Sequence, residues 1–288
     1  MKVPQVQEKK IAIITSASDA AGVSIKAQLL RNYGFEKTSG ENFDGFEVYR
    51  LPIEDYDARL FTIAGEPTSC ERIDERIDAG LFVFATMHYS RAGVPALTTH
   101  SVGNWSMAKL GGKDKTICQT SPSLLKLFLQ NLAAAAKSES YTGEVVQEST
   151  HHGPYIEKPA VFIEVGSSEK QWKDAQLASM VADSLIGGLG DYAVLDEHGE
   201  KHEAVVALGG PHYASHLKKL MLDSQYAVGH ICPKHHLQSL TPELLQQAMD
   251  SCYPEKAVAV AVDWKGLGAE KQRIKQILDG EKIRHFKV

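Results

Sequence analysis

Short apolar runs alternating with amphipathic helical stretches constrain this chain of 288 residues more than any other feature. The run at 11–15 ends in Ser16 and Asp19, whose side chains suit the N-cap of a helix reaching about Tyr33, so the chain opens strand, loop, helix. Further strand candidates are 46–51, 60–64, 81–85, 161–165, 204–208 and 257–262. The clearest helix starts at Ser121 and Pro122 and carries Leu124, Leu125, Phe128, Leu129 and Leu132 on one face. Another is expected from Ser167 or Ser168 through Trp172, Ala175, Ala178, Ala182 and Leu185 to the glycines at 187, 188 and 190, and Thr241 with Pro242 opens a further one. Such alternation specifies an α/β class with a mixed, largely parallel sheet flanked by helices. No repeat, low-complexity tract or Pro/Ser-rich linker divides the chain, so one compact α/β domain with insertions, 1–288, is expected.

A chain of this length buries roughly three quarters of its unfolded surface, so neither a disulfide nor a metal is required merely to fold. The four cysteines show no CxxC spacing, which fits reduced thiols. The first ten residues hold no apolar core of leader length, and no later stretch approaches the ~20 apolar residues of a membrane span, so a cytoplasmic protein is expected, with no membrane contact and no obligate protein partner. A net charge of −5 argues against a nonspecific grip on nucleic acid. From Lys265 onward, however, seven basic residues face three acidic ones, and Lys271, Arg273 and Lys275 fall on a helix that Gly280 ends. This segment is either a polyanion contact or a solvated face.

Chemistry concentrates around histidine. Seven of the twelve histidines lie in four stretches rich in Gly, Pro, Ser or Thr, around His100, His151 with His152, His212, and His230 with His235 and His236. Such stretches read as loops, several directly after strand candidates, where open α/β sheets place their binding crevice. Imidazole binds metal while neutral and titrates near neutrality, so a shared hydrolytic or metal site is expected. His88 follows the strand 81–85, and Asn104 and Ser101 beside His100 are candidates to orient a ligand or stabilise an oxyanion. Adjacent side chains in extended peptide point to opposite sides, so only one of His151 and His152 is expected to face the site. Glu164 sits in an otherwise apolar strand, where a carboxylate is paired, bound to metal or used as a base. Gly166 and Ser167 are read as a turn offering free amides at a helix start, and Gly209 with Gly210 as a close approach to ligand or merely a tight turn. No HExxH, CxxC or GxSxG pattern is present, so any ligand set is assembled from distant segments.

Seven stretches in order, PALTTHSVGNW (95–105), GGKD (111–114), THHGP (150–154), FIEVGSS (162–168), GGPHY (209–213), GHICPK (229–234) and VDWKG (262–266), resemble the archaeal and plant-type D-aminoacyl-tRNA deacylases over nearly the whole chain. The chain departs at Thr86 and Met87, where the family commonly reads Ser-Arg before His88, at Pro211, and at His235. The resemblance implies a phosphorylase/peptidyl-tRNA hydrolase-like fold, a D-aminoacyl-tRNA substrate, zinc, and hydrolysis of the ester by a zinc-activated water. Under it His100, His151 and His230 are the metal candidates, and His88, Asn104, His152, Glu164 and His212 the catalytic ones. Ser101, Gly166, Ser167, Gly209, Gly210, Lys271, Arg273 and Lys275 are the substrate-binding candidates. Two other classes stay open: a metal-dependent amidohydrolase or peptidase acting on small D-amino-acid derivatives, and a noncatalytic module that binds an RNA end.

Overall fold

The computed structural model describes residues 9–254 and 256–288, so most of the amino-terminal stretch read above for a leader lies outside the described residues. The larger sheet has eight strands in the order β2 (Glu36–Phe43), β3 (Phe46–Ile53), β4 (Tyr56–Ile63), β1 (Lys9–Ser16), β5 (Leu81–Tyr89), β10 (Ala160–Ser167), β6 (Ala96–Ser101), β9 (Glu144–Gln147). Its centre, β4 to β1 to β5 to β10, is parallel, while β2, β3 and β6 join antiparallel. A small ribbon pairs β7 (Gly103–Asn104) with β8 (Thr116–Ile117). The second sheet, β12 (Tyr226–Cys232), β11 (Glu203–Leu208), β13 (Ala259–Val262), β14 (His285–Lys287), is parallel throughout. The fold is thus mixed α/β with largely parallel sheets, as the apolar runs predict.

Helices begin where their caps dictate. Asp19 accepts the amide of Gly22 at the start of α1 (Ala20–Asn32), and Ser121 accepts that of Leu124 at the start of α2 (Pro122–Ser138). The helix expected from Ser168 is interrupted: α3 (Glu169–Trp172) stops, and the Asp174 carboxylate accepts from Gln176 and Leu177 to start α4 (Ala175–Glu197). Glycines 187, 188 and 190 do not end α4. A Cβ at Gly188 would lie 2.5 Å from the Phe128 ring, so this glycine lets α2 and α4 approach closely. Three further helices, α5 (Lys218–Asp223), α6 (Pro242–Asp250) and α7 (Lys271–Gly280), flank the second sheet, with Thr241 capping α6.

Helix α2 touches β6 and β9 of the larger sheet and β11 and β12 of the smaller. One apolar cluster therefore runs from Val161 and Ile163 on β10 through Leu124, Leu125 and Phe128 to Val205, Ala207 and Val228 of the second sheet. Strands β6, β9 and β12 escape the apolar-run criterion, and their polar residues give the reason. Thr98, Thr99, His100 and Ser101 on β6 are buried, and so is His230 on β12. His88, His100 and His230 therefore lie on strands, not on the loops expected for them.

Candidate active site

The carboxyl end of the larger sheet brings five histidines and two glutamates together. Strand β5 supplies His88, β10 Glu164 and β6 His100, while the segment after β9 supplies Glu148, His151 and His152. His212 arrives from the loop after β11. Pairing sets the register: Glu164 sits beside Thr86 on one neighbour and Thr98 on the other, and Gly166 lies beside His88. A Cβ at Gly166 would come within 2.7 Å of the His88 ring, so the glycine makes room for the imidazole. Strand β10 runs on through Ser167, whose hydroxyl donates to the Val94 carbonyl, so Gly166 and Ser167 belong to the strand, and the helix start expected there falls at Ser168, the N-cap position of the short α3.

Both carboxylates are buried and shared. Glu164 accepts the Thr86 hydroxyl at 2.7 Å, and its other oxygen lies 3.5 Å from His100 Nε2 and 3.6 Å from His88 Nδ1. Glu148 places one oxygen 3.0 Å from His88 Nδ1, outside hydrogen-bond alignment, and the other 2.7 Å from His212 Nε2 and 3.8 Å from His151 Nε2. Burial works to raise both carboxyls, but the imidazoles overcome it: His212 and His88 hold Glu148 below the ordinary carboxylate range, as His100 and His88 do for Glu164. In return, His88 and His100 are raised above the usual imidazole value despite the opposing effect of burial. His151 and His152 go the other way, since burial and the neighbouring imidazoles lower both, His152 to about 4.

Tautomers follow from the backbone. Nδ1 of His100 faces the Ser101 carbonyl at 3.1 Å, that of His151 the Ser149 carbonyl at 2.7 Å and that of His152 the Gly153 carbonyl at 2.6 Å. A neutral ring in that setting carries its proton on Nδ1 and presents the Nε2 lone pair, the arrangement that fixes histidine as a metal ligand. His100 Nε2 and Glu148 Oε1 have no hydrogen-bond partner among the described residues. The groups His100, His151, His152 and Glu148, His151, His212 each offer ligand atoms within 4.8 Å of one another, as do His88, Glu148 and Glu164. These donors suit a metal ion.

The expectation that only one of His151 and His152 faces the site is overturned by backbone geometry. His152 has a φ of 44°, which breaks the extended alternation and turns both rings inward, 4.3 Å apart. Its neighbour Ser149 accepts or donates at 2.9 Å to His212 Nδ1, and the Tyr213 hydroxyl lies 2.7 Å from His88 Nε2. Asp19 ties α1 to this region, since its carboxylate accepts both the Gly22 amide and, at 2.8 Å, that of Met87 next to His88. Burial pushes Asp19 up to about 6.

Other candidates fall outside the cluster. His230 Nδ1 contacts the Thr150 hydroxyl at 3.3 Å, and His230 belongs to none of the three metal-competent groups. The Ser101 hydroxyl is engaged with Thr150 at 2.7 Å, and Asn104 Nδ2 donates to the Gly111 carbonyl, anchoring a loop. Gly209 and Gly210, at φ of 100° and 78°, make room for Asp263 and for the His216 ring, which would meet a Cβ on Gly210 at 2.2 Å. On α7, Arg273 is consumed by Glu270 and by the Leu240 and Leu237 carbonyls, and Lys275 pairs with Asp279; only Lys271 of that trio lacks an ion-pair partner among the described residues. Glu148, Ser149, Tyr213 and Asp19 were missed as site residues. Glu148 carried a signal, an acidic side chain three residues before His151.

Among the described residues no helix is long and apolar enough to cross a membrane. The chain is 33% identical to the D-aminoacyl-tRNA deacylase of Pyrococcus abyssi over 93% of its own length and 96% of that protein. It is 34% identical to the D-aminoacyl-tRNA deacylase of Thermococcus onnurineus over the same shares. A crystal structure of a conserved protein of unknown function superposes with a TM-score of 0.83 at 27% identity, covering 98% of this chain and 96% of that one. The sequence pattern of D-aminoacyl-tRNA deacylase matches residues 75–286, a span that takes in His88, Glu148, Glu164 and all the clustered imidazoles. With the match reaching across the whole His–Glu cluster, the chain belongs to the D-aminoacyl-tRNA deacylase family.

Proposed function

We propose that this cluster hydrolyses the ester joining a D-amino acid to the 3′ end of tRNA, releasing both, the reaction that the names of its relatives describe. The observation that supports this most is the trio His100, His151 and His152, each with Nδ1 on a backbone carbonyl, beside two buried carboxylates. Three imidazoles with carboxylates alongside suit zinc, which His100, His151 and His152 would hold, with Glu148 and His212 adjacent. When bound, the ion supplies Lewis acidity.

The chain's own groups do the rest. Glu164 lies against His88 and His100 and balances their charge, all three side chains being buried. Glu148 bridges His88 and His212 and so fixes the His212 ring, whose side chain is 38% exposed. Both nitrogens of His212 are thereby engaged, Nε2 with Glu148 and Nδ1 with the Ser149 hydroxyl, a chain of groups along which a proton can pass. Tyr213 holds the far nitrogen of His88. The whole chain acts as one catalytic unit, in the cytoplasm, where tRNA is used.

Deacylation of matched D- and L-Tyr-tRNA by chelated and zinc-restored protein tests this reading. The expected result is fast hydrolysis of the D-ester alone, lost on chelation and regained with zinc. Equal rates on both enantiomers, or turnover only of small D-amino-acid derivatives, would overturn it, as would tRNA binding without hydrolysis.

A further inference from the structure

Resting on that reading, we infer that the loop between β7 and β8, together with the turn after β12, forms the phosphate-binding rim that receives the single-stranded 3′ end of the tRNA, with Lys109 and Lys234 as its principal cations. The loop is built onto the site. Its Leu110 carbonyl accepts the Gly153 amide at 2.9 Å, immediately after His152, and a Cβ on Gly153 would come within 2.4 Å of the Gly112 nitrogen. Asn104 holds it from the other end through Gly111. The turn after β12 meets it at the Ser106 hydroxyl, 3.2 Å from His236 Nδ1, and is fixed to the loop that carries His212 by the Lys234 amide donating to the Gly210 carbonyl at 2.9 Å.

Charge is sorted on this rim. The acidic side chains nearby are turned onto backbone amides: Asp114 accepts from Ala108, and Glu71 from Gly112 and Tyr155. The lysines are exposed, and among the described residues Lys109, Lys113 and Lys234 have no carboxylate partner, Lys113 resting over the Tyr155 ring. Lys109 and His212 both act electrostatically on His236, and Lys234 and His212 both act on His235, so these cations stand close to His212, a part-exposed member of the cluster. Met107 and Leu110, 66% and 65% exposed on the same loop, leave apolar surface beside them. Unpaired ammonium groups next to an apolar surface suit a flexible strand with phosphates and unstacked bases. They also reconcile a net charge of −5 with an RNA substrate, because only the reacting end needs to be gripped.

Binding of uncharged tRNA, followed by fluorescence anisotropy from 50 to 250 mM KCl with a Lys109→Gln/Lys234→Gln variant, tests the assignment. Each lost phosphate contact to a single strand removes about 0.7 from the slope of log affinity against log salt, so the slope should flatten by about 1.4 and affinity at low salt should fall about tenfold. A Lys137→Gln/Lys287→Gln control on α2 and β14 should change neither. Identical affinity and slope in the rim variant, with the wild-type melting temperature, would overturn the inference while leaving the functional reading intact if wild-type protein still hydrolyses D-Tyr-tRNA. A flattened slope in a protein that hydrolyses nothing would support the rim and refute the functional reading. Single variants Lys109→Gln and Lys234→Gln, each expected to flatten the slope by about 0.7, decide the matter should the double variant fail to fold.

Discussion

Of the places where this molecule buries ionisable side chains, two do it in opposite ways. Lys126 on α2 is 2% exposed, and its ammonium donates to the carbonyls of Met221, Ser224 and Tyr226 at 2.5, 2.7 and 3.1 Å. Three donors meet three acceptors, and nothing is left over. In the His–Glu cluster, by contrast, atoms converge without being used up: His100 Nε2 and Glu148 Oε1 find no hydrogen-bond partner among the described residues, and the His151 ring packs against those of His100 and His152. A buried charge whose valences are filled secures a fold. A buried convergence with valences open costs stability and persists because something else fills it, a ligand, an ion or a proton in transit.

The sharpest break of this contrast is Glu164→Gln, which keeps the shape and removes the charge between His88 and His100. Hydrolysis of D-aminoacyl-tRNA should fall by about 10²–10⁴-fold, with circular dichroism and melting temperature close to wild type. A variant that retains a third or more of the rate would show that the carboxylate is structural, like the partners of Lys126, and the distinction would collapse.

The sequence makes parts of this picture legible and hides others for physical reasons. Strands β1, β4, β5, β10, β11 and β13 announce themselves because most of their residues are buried, and β3 by its apolar run, although Val48 is its one buried residue. Strand β6 does not, because Thr98, Thr99, His100 and Ser101 turn polar side chains into the molecule, where they serve the site instead of the core. The histidines are visible as residues, yet which of them meet depends on one backbone torsion at His152 and on the β5–β10–β6 register, neither of which spacing reveals. Arg273 misleads in the opposite direction. Its charge reads as a surface contact for RNA, but its guanidinium is spent on the Leu237 and Leu240 carbonyls, a tertiary fact that no count of basic residues contains.

A smaller effect is expected at the satisfied charge. Lys126→Met leaves three carbonyls without their donor and should lower stability by about 3 kcal/mol in urea unfolding, since buried acceptors stripped of a partner keep their desolvation cost. Activity at 25 °C should stay within twofold of wild type, because none of those carbonyls reaches the cluster's hydrogen bonds. A large loss of turnover with unchanged stability would place Lys126 on the functional side of the comparison.

His230 is the intermediate case, and its effect emerges only as the pH is lowered. It is fully buried, with one ring nitrogen on the Thr150 hydroxyl and the other lacking a partner of good geometry, yet it stands outside the metal-competent groups. Burial pushes it down to about 3, with the Ser251 carbonyl opposing, so in the folded protein it stays neutral well below the 6.5 of an unfolded chain. Between these values the unfolded state binds the extra proton. The stability His230 contributes is therefore complete above pH 6.5 and is eroded as pH falls toward 3, at a limiting slope of about 1.4 kcal/mol per pH unit. His230→Gln removes that proton, so the stability difference between wild type and variant should shrink steadily from pH 6.5 to pH 4 in urea titrations of chelated protein, where the clustered imidazoles contribute equally to both. Parallel stability curves would mean that the ring is not held neutral by burial. A loss of bound zinc in the variant, measured by elemental analysis of the restored protein, would instead move His230 into the cluster and show that its unpartnered nitrogen is open for the same reason as that of His100.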